Sequence, residues 1–258
     1  MNSLIIAICA GLLAYGGGGI GLLLRRKLPE RYTSGRSKDM ISAISGLMTL
    51  LSALVTGLLI WTAYGVYSSQ NTAVQNYAVH VLQEYLALTE YGADAGPVEA
   101  KLNERLARTI GDMWGSHSDA DFVSRNYQAA IENLRAGQTY LDSLHPSSES
   151  QKSALAAANQ AHALVGQTRL QMALALTDPV SYPLLFIVVA WVSCLFCGFG
   201  LTAGGNRMAY AVMAVGAAAV SAAVFAIVDL STPYTGLIKI SSTPIERVLK
   251  VVNNGKTQ

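Results

Sequence analysis

Four long uncharged apolar runs, Leu4–Leu24, Met40–Ala63, Leu184–Leu201 and Met208–Val228, stand in two pairs around a polar stretch from Gly65 to Ser181. A helix needs roughly 20 apolar residues to cross the hydrocarbon core of a bilayer, where every backbone polar group must bond within its own segment. All four runs qualify, the third marginally, so the pattern predicts four transmembrane helices. No Lys or Arg precedes the first run, and it outlasts the roughly 7 to 15 apolar residues of a signal peptide, so it reads as an uncleaved helix.

Inside the polar stretch the apolar positions recur at helical spacing. Val74, Ala78, Val81, Tyr85 and Leu88 form one stripe, and Val98, Leu102, Leu106, Ile110 and Met113 a second. A third uses Val123, Tyr127, Ala130, Leu134 and Tyr140, and a fourth helix runs from about Ser148 to Thr177. Turn signals at Gly92–Pro97, Gly115–Ala120 and His145–Ser150 separate them, and Asp178-Pro179 ends the last. Only Gly65 stands between the second apolar run and the first stripe, so one long helix is expected to leave the membrane there.

The expected fold is therefore an all-α membrane protein: four transmembrane helices in two pairs with an inserted extramembrane four-helix bundle. The corresponding divisions are 1–66 for the first pair, 67–182 for the bundle, 183–230 for the second pair and 231–258 for a C-terminal tail. In that tail Thr243, Pro244 and Glu246 suggest an N-cap, first-turn proline and capping-box acid, with Ile245, Val248, Leu249 and Val252 on the apolar side. The last residues, Asn253 to Gln258, are expected to fray.

Composition adds to this picture. Hydrophobic residues are 52% and charged residues 13% of the chain, too little polar surface for a soluble domain of 258 residues. A net charge of +2 provides no basic surface for nucleic acid. Cys9, Cys194 and Cys197 all lie in apolar runs, where they act as small hydrophobes.

Basic residues bear on orientation. Arg25, Arg26, Lys27, Arg31, Arg36 and Lys38 crowd the link between the first two runs, and Arg207 lies in the link between the last two. Short-loop Lys/Arg excess marks the cytoplasmic side, which places the bundle and both termini outside the cytoplasm. Trp61, Tyr64, Tyr67, Tyr182 and Tyr234 are aromatic rings expected at a headgroup interface.

Candidate chemistry is sparse. The second run carries hydroxyls at steps of three and four, Ser42, Ser45, Thr49, Ser52 and Thr56, with Gly46, Ala53 and Gly57 beside them. Such a stripe serves close helix packing, or it lines a pore, with Ser45, Thr49, Ser52 and Thr56 as the lining candidates. Gly16 to Gly19 followed by Gly21 form a small-x-x-x-small pattern in which Gly17 and Gly21 either pack against a neighbour or mark a gating bend. Asp229, at the exit of the fourth run, is placed to cap, to pair with a base, or to hold a cation.

No apolar run holds an ionisable residue at mid-depth, which argues against an ion-coupled transporter. His80, His117, His145 and His162 are scattered and read as surface residues rather than metal ligands. No nucleophile, base and orienting group form a catalytic signature, so no enzyme, metal or cofactor is expected.

The stretch from Asp229 to Ile245, with Pro233, Gly236 and Thr243-Pro244, resembles the closing signature of the bacterial bestrophin-like domain family. The segment Leu54–Trp114, with Leu88-Thr-Glu-Tyr-Gly92, and Trp191–Gly200 are similar to other parts of that family. This resemblance spans nearly the whole chain and implies kinship with bestrophins, pentameric anion channels whose second membrane helix lines the pore. It implies a multi-pass protein of the bacterial inner membrane, a homo-oligomer in the lipid bilayer passing chloride or another small anion. The alternative is a membrane-anchored sensor or scaffold whose bundle binds a partner.

Overall fold

The computed structural model describes residues 3–29, 35–115, 122–175, 182–203, 207–234 and 236–254. Arg31, the side chains of Arg36 and Val123, His117, the break at 116–120, Asp178-Pro179, Thr235 and the end 255–258 lie outside the described residues. The described elements are helical: α1 (Ser3–Lys27), α2 (Gly35–Tyr91), a 3-10 turn (Ala93–Ala95), α3 (Gly96–Trp114), α4 (Phe122–Asp142), α5 (Glu149–Leu174), α6 (Tyr182–Thr202), α7 (Arg207–Leu230) and α8 (Thr243–Asn254). The helices α1, α2, α6 and α7 are long and apolar enough to cross a membrane.

The chain divides into two compact units. One comprises residues 1–65 and 180–231, the other 66–179 and 232–258. In the first, α1 packs along both α6 and α7. Small residues set that contact: a Cβ on Gly17 would fall on the Ser193 carbonyl, one on Gly21 on the Cys197 carbonyl, and one on Gly200 on the Gly18 carbonyl. Backbones approach closely where no side chain intervenes, the packing mode that lipid favours because burial of apolar surface gains nothing between helices there. The Ser221 hydroxyl donates across to the Ala7 carbonyl at 2.5 Å. The four consecutive glycines stay helical, and a Cβ on Gly16 or Gly19 would meet nothing within 4 Å.

In the second unit, a core of large side chains joins the 66–91 portion of α2 to α3, α4, α5 and α8. Nothing breaks α2 at Gly65, and it runs 57 residues to Tyr91. Gly92 then stops it at φ +107, a backbone conformation that residues with a Cβ rarely adopt. Ser148 caps α5 by accepting from the Gln151 amide at 3.1 Å, while the Gln151 side chain accepts from the Ser147 amide at 2.8 Å.

Some expectations shift. The helix α8 begins at Thr243, so the cap falls one residue earlier: the Ser242 carbonyl accepts from the Ile245 and Glu246 amides, and its hydroxyl bonds Glu246. Tyr127 is exposed, and the inner face of α4 is set instead by Asn126, Ala130 and Leu141. Tyr234 is no interface ring. It is buried edge-on against Trp114, with ring centroids 5.4 Å apart, and its hydroxyl donates to Gln70 at 2.8 Å.

Candidate functional site

The membrane portion of α2 carries the hydroxyl stripe, and the structure divides it between two faces. Ser45 and Ser52, seven residues apart and so nearly in phase on a helix, are only 8% and 6% exposed. Ser45 lies against Gly198 of α6, and Leu59 and Ala63 continue the same buried line. Thr49 is exposed and Thr56 half-buried. Ser42, Gly46, Ala53 and Gly57 are exposed as well, and together with Thr49 they make a second, small-residue face. A Cβ on Gly46 or Gly57 would meet nothing within 4 Å. The Thr49 hydroxyl donates back to the Ser45 carbonyl at 2.7 Å.

The remaining outward surface of this portion is greasy: Leu50, Leu54 and Trp61 are each about 70% exposed. Such contiguous apolar exposure requires lipid or a neighbouring chain to cover it. Nearby, Arg25 donates to the Ala203 carbonyl at the end of α6, where a cation meets the negative end of a helix dipole.

The closing signature places its residues in separate roles. Asp229 is fully buried at the end of α7 and accepts from the Ser3 hydroxyl at 2.8 Å. Pro233 is buried and its carbonyl accepts from the Ile240 amide at 2.9 Å, while the Gly236 amide donates to the Thr232 carbonyl at 3.0 Å. The Ile240 carbonyl in turn accepts from the Trp114 indole at 2.7 Å. The signature segment beyond Ser231 thus forms part of the second unit's core. Burial pushes the Tyr234 phenol well above its ordinary range, with Arg169 opposing.

The second unit also holds a buried polar cluster absent from every motif noted above. His162 is 1% exposed rather than a surface residue; its Nδ1 faces the Glu84 carboxylate at 3.0 Å and its Nε2 the Leu134 carbonyl at 3.1 Å. The Arg105 guanidinium lies 3.6 Å from the same Glu84 oxygen. One helical phase along α5 from His162, Arg169 is 3% exposed and donates from Nη2 to Asn126 at 2.8 Å. Burial lowers the Arg169 pKa from its ordinary value, and Tyr77, Tyr234 and Asp112 partly offset that. Gly137 makes the room: a Cβ there would strike both the Arg105 guanidinium and the His162 ring.

The family model described as "Bestrophin-like domain" matches residues 12–245. No curated protein matches the chain. Among solved structures, a bacterial bestrophin homologue from Klebsiella pneumoniae, in a point-variant form, is similar in fold with a TM-score of 0.68 at 11% identity. That similarity covers 99% of this chain and 98% of the homologue.

Proposed function

Because the chain belongs to the bestrophin-like domain family, we propose that it is the subunit of a homo-oligomeric membrane channel for chloride or another small anion, with α2 lining the path. The observation that carries this reading is the exposed face of Ser42, Gly46, Thr49, Ala53 and Gly57, small and weakly polar on a helix otherwise greasy outside. Repeated around a symmetry axis, that face gives a bore bounded by hydroxyls and backbone rather than by bulky side chains. Of the four hydroxyl candidates, Thr49 and Thr56 contribute to the lining, while Ser45 and Ser52 pack within the subunit. The Thr49 hydroxyl turns toward a passing anion by giving up one back-bond, worth about 1 kcal/mol. That is a small barrier for a conducting site.

In this reading two pairs of membrane helices carry an extramembrane bundle, and the Arg and Lys cluster between α1 and α2 keeps that link in the cytoplasm, with the bundle outside. The protein performs no catalytic step. Purified protein in a planar bilayer is expected to give chloride currents, and Thr49→Leu to reduce them. A silent bilayer would leave the alternative, an anchor whose bundle binds a partner.

A further inference from the structure

Between α2, α3, α4 and α5 lies a small, partly open cavity of about 20 Å³, bordered by Tyr77, Arg105, Thr109, Asn133, His162 and Arg169. A cavity of roughly one probe sphere is enough for one water-sized occupant. Two of the Arg169 nitrogens, Nε and Nη1, are buried without a hydrogen-bond partner among the described residues. Leaving a buried guanidinium without a counter-charge is strongly unfavourable.

Hydrogen bonding decides the charge around this cavity. Both partners of His162, the Glu84 carboxylate and the Leu134 carbonyl, are acceptors. The pair therefore holds one extra proton: imidazolium against carboxylate, or neutral ring against carboxylic acid. Either way it is neutral as a unit. Two permanently charged guanidiniums, Arg105 and Arg169, remain. Among the described residues Asp112 is the acid whose field reaches Arg169, so among them one positive charge stays unbalanced.

The lining is also rich in donors. The Thr109 hydroxyl is committed to the Arg105 carbonyl at 3.0 Å, and the Leu134 carbonyl to His162. For a water's hydrogens the lining leaves only the Tyr77 and Asn133 side-chain oxygens, against several N–H donors for its lone pairs. A spherical anion needs donors alone.

From this charge, donor set and size, we propose that the bundle holds a single chloride-sized halide against Arg169, a structural site separate from any conduction path. Phosphate, sulfate and carboxylates are too large for it. The site does not depend on the channel reading, since every group named lies in the second unit. Halide concentration would then set the stability of the bundle.

Melting of the full-length protein in detergent, in sodium chloride or bromide against sodium gluconate at matched ionic strength, tests this. The midpoint should rise by about 3 to 6 °C in halide if the site is mostly filled, since a ligand stabilises only the folded state it binds. Arg169→Met should erase that rise, whereas Lys101→Met, on the exposed face of α3, should keep it. Equal midpoints in all salts for the wild type, or a halide response retained by Arg169→Met, would overturn the proposal. Should Arg169→Met fail to fold, crystals of the wild type grown in bromide decide: anomalous density within hydrogen-bonding distance of Arg169 Nε and Nη1 supports the site. Density there without anomalous signal means water, and the proposal fails.

Discussion

The two portions of α2 differ in what covers them. Between Ser45 and Ala63 only a narrow line, Ser45, Ser52, Leu59 and Ala63, is buried by the chain itself. From Val74 to Tyr91 the same helix turns Val74, Tyr77, Val81, Leu88 and Tyr91 into a large-residue core. Where water is the solvent, apolar area drives the packing at about 25 cal/mol per Å² buried. Where lipid is the solvent that term vanishes, and close backbone contact with hydroxyl bonding takes its place. One continuous helix thus obeys two packing rules, and the change falls near Gly65.

Substitutions can break that contrast on either side. The largest effect is expected from Glu84→Ala, which leaves His162 and Arg105 buried without their carboxylate: a loss of about 3 to 5 kcal/mol, read from denaturant unfolding of the purified protein. Gly17→Ala should cost about 3 kcal/mol, because its Cβ meets the Ser193 backbone, which a side-chain rotation cannot relieve. Gly137→Ala, which meets the ends of two polar side chains, should cost about 1 to 3 kcal/mol and can be compared directly by the same unfolding measurement.

Smaller effects sharpen the comparison. Gly16→Ala, one residue from Gly17, should stabilise by about 0.5 to 1 kcal/mol, since alanine restricts the unfolded chain and its Cβ touches nothing within the subunit. A loss there instead would show that a neighbouring subunit lies against Gly16. Tyr234 gives a pH signature. Its folded pKa is raised, so its contribution is whole below about pH 10, where the unfolded phenol begins to ionise, and is lost as pH rises further. Tyr234→Phe should flatten the fall in melting midpoint above that pH, at the expense of the hydrogen bond to Gln70.

The hydropathy pattern made the helices legible, and with them the run of α2 past Gly65, because length and period survive in one dimension. The division of the hydroxyl stripe was hidden: Ser45 and Ser52 differ from Thr49 by about 40 to 60° on the helix, too little to separate without knowing that α6 brings Gly198 to Ser45. The polar cluster was hidden for another reason. Glu84, Arg105, His162 and Arg169 come from α2, α3 and α5, and no spacing joins them. A signal was present nonetheless. In α5, His162 and Arg169 fall on the same phase as Ala154, Ala158, Val165 and Met172, and a charge on the buried phase of a helix announces a partner. Tyr234 misled because an aromatic just past an apolar run matches an interfacial anchor, and only Trp114 and Gln70 distinguish the two.

The central claim is that the Thr49 face of α2 meets water while the Leu50 face meets lipid. In a cysteine-free background, Thr49→Cys and Leu50→Cys can be exposed in turn to a charged thiol-modifying reagent while current is recorded across a bilayer. The account predicts that Thr49→Cys is modified and its chloride current changes, while Leu50→Cys is left untouched. A conducting protein in which the cysteine at 49 stays unreactive, or in which the one at 50 is modified first, would contradict it.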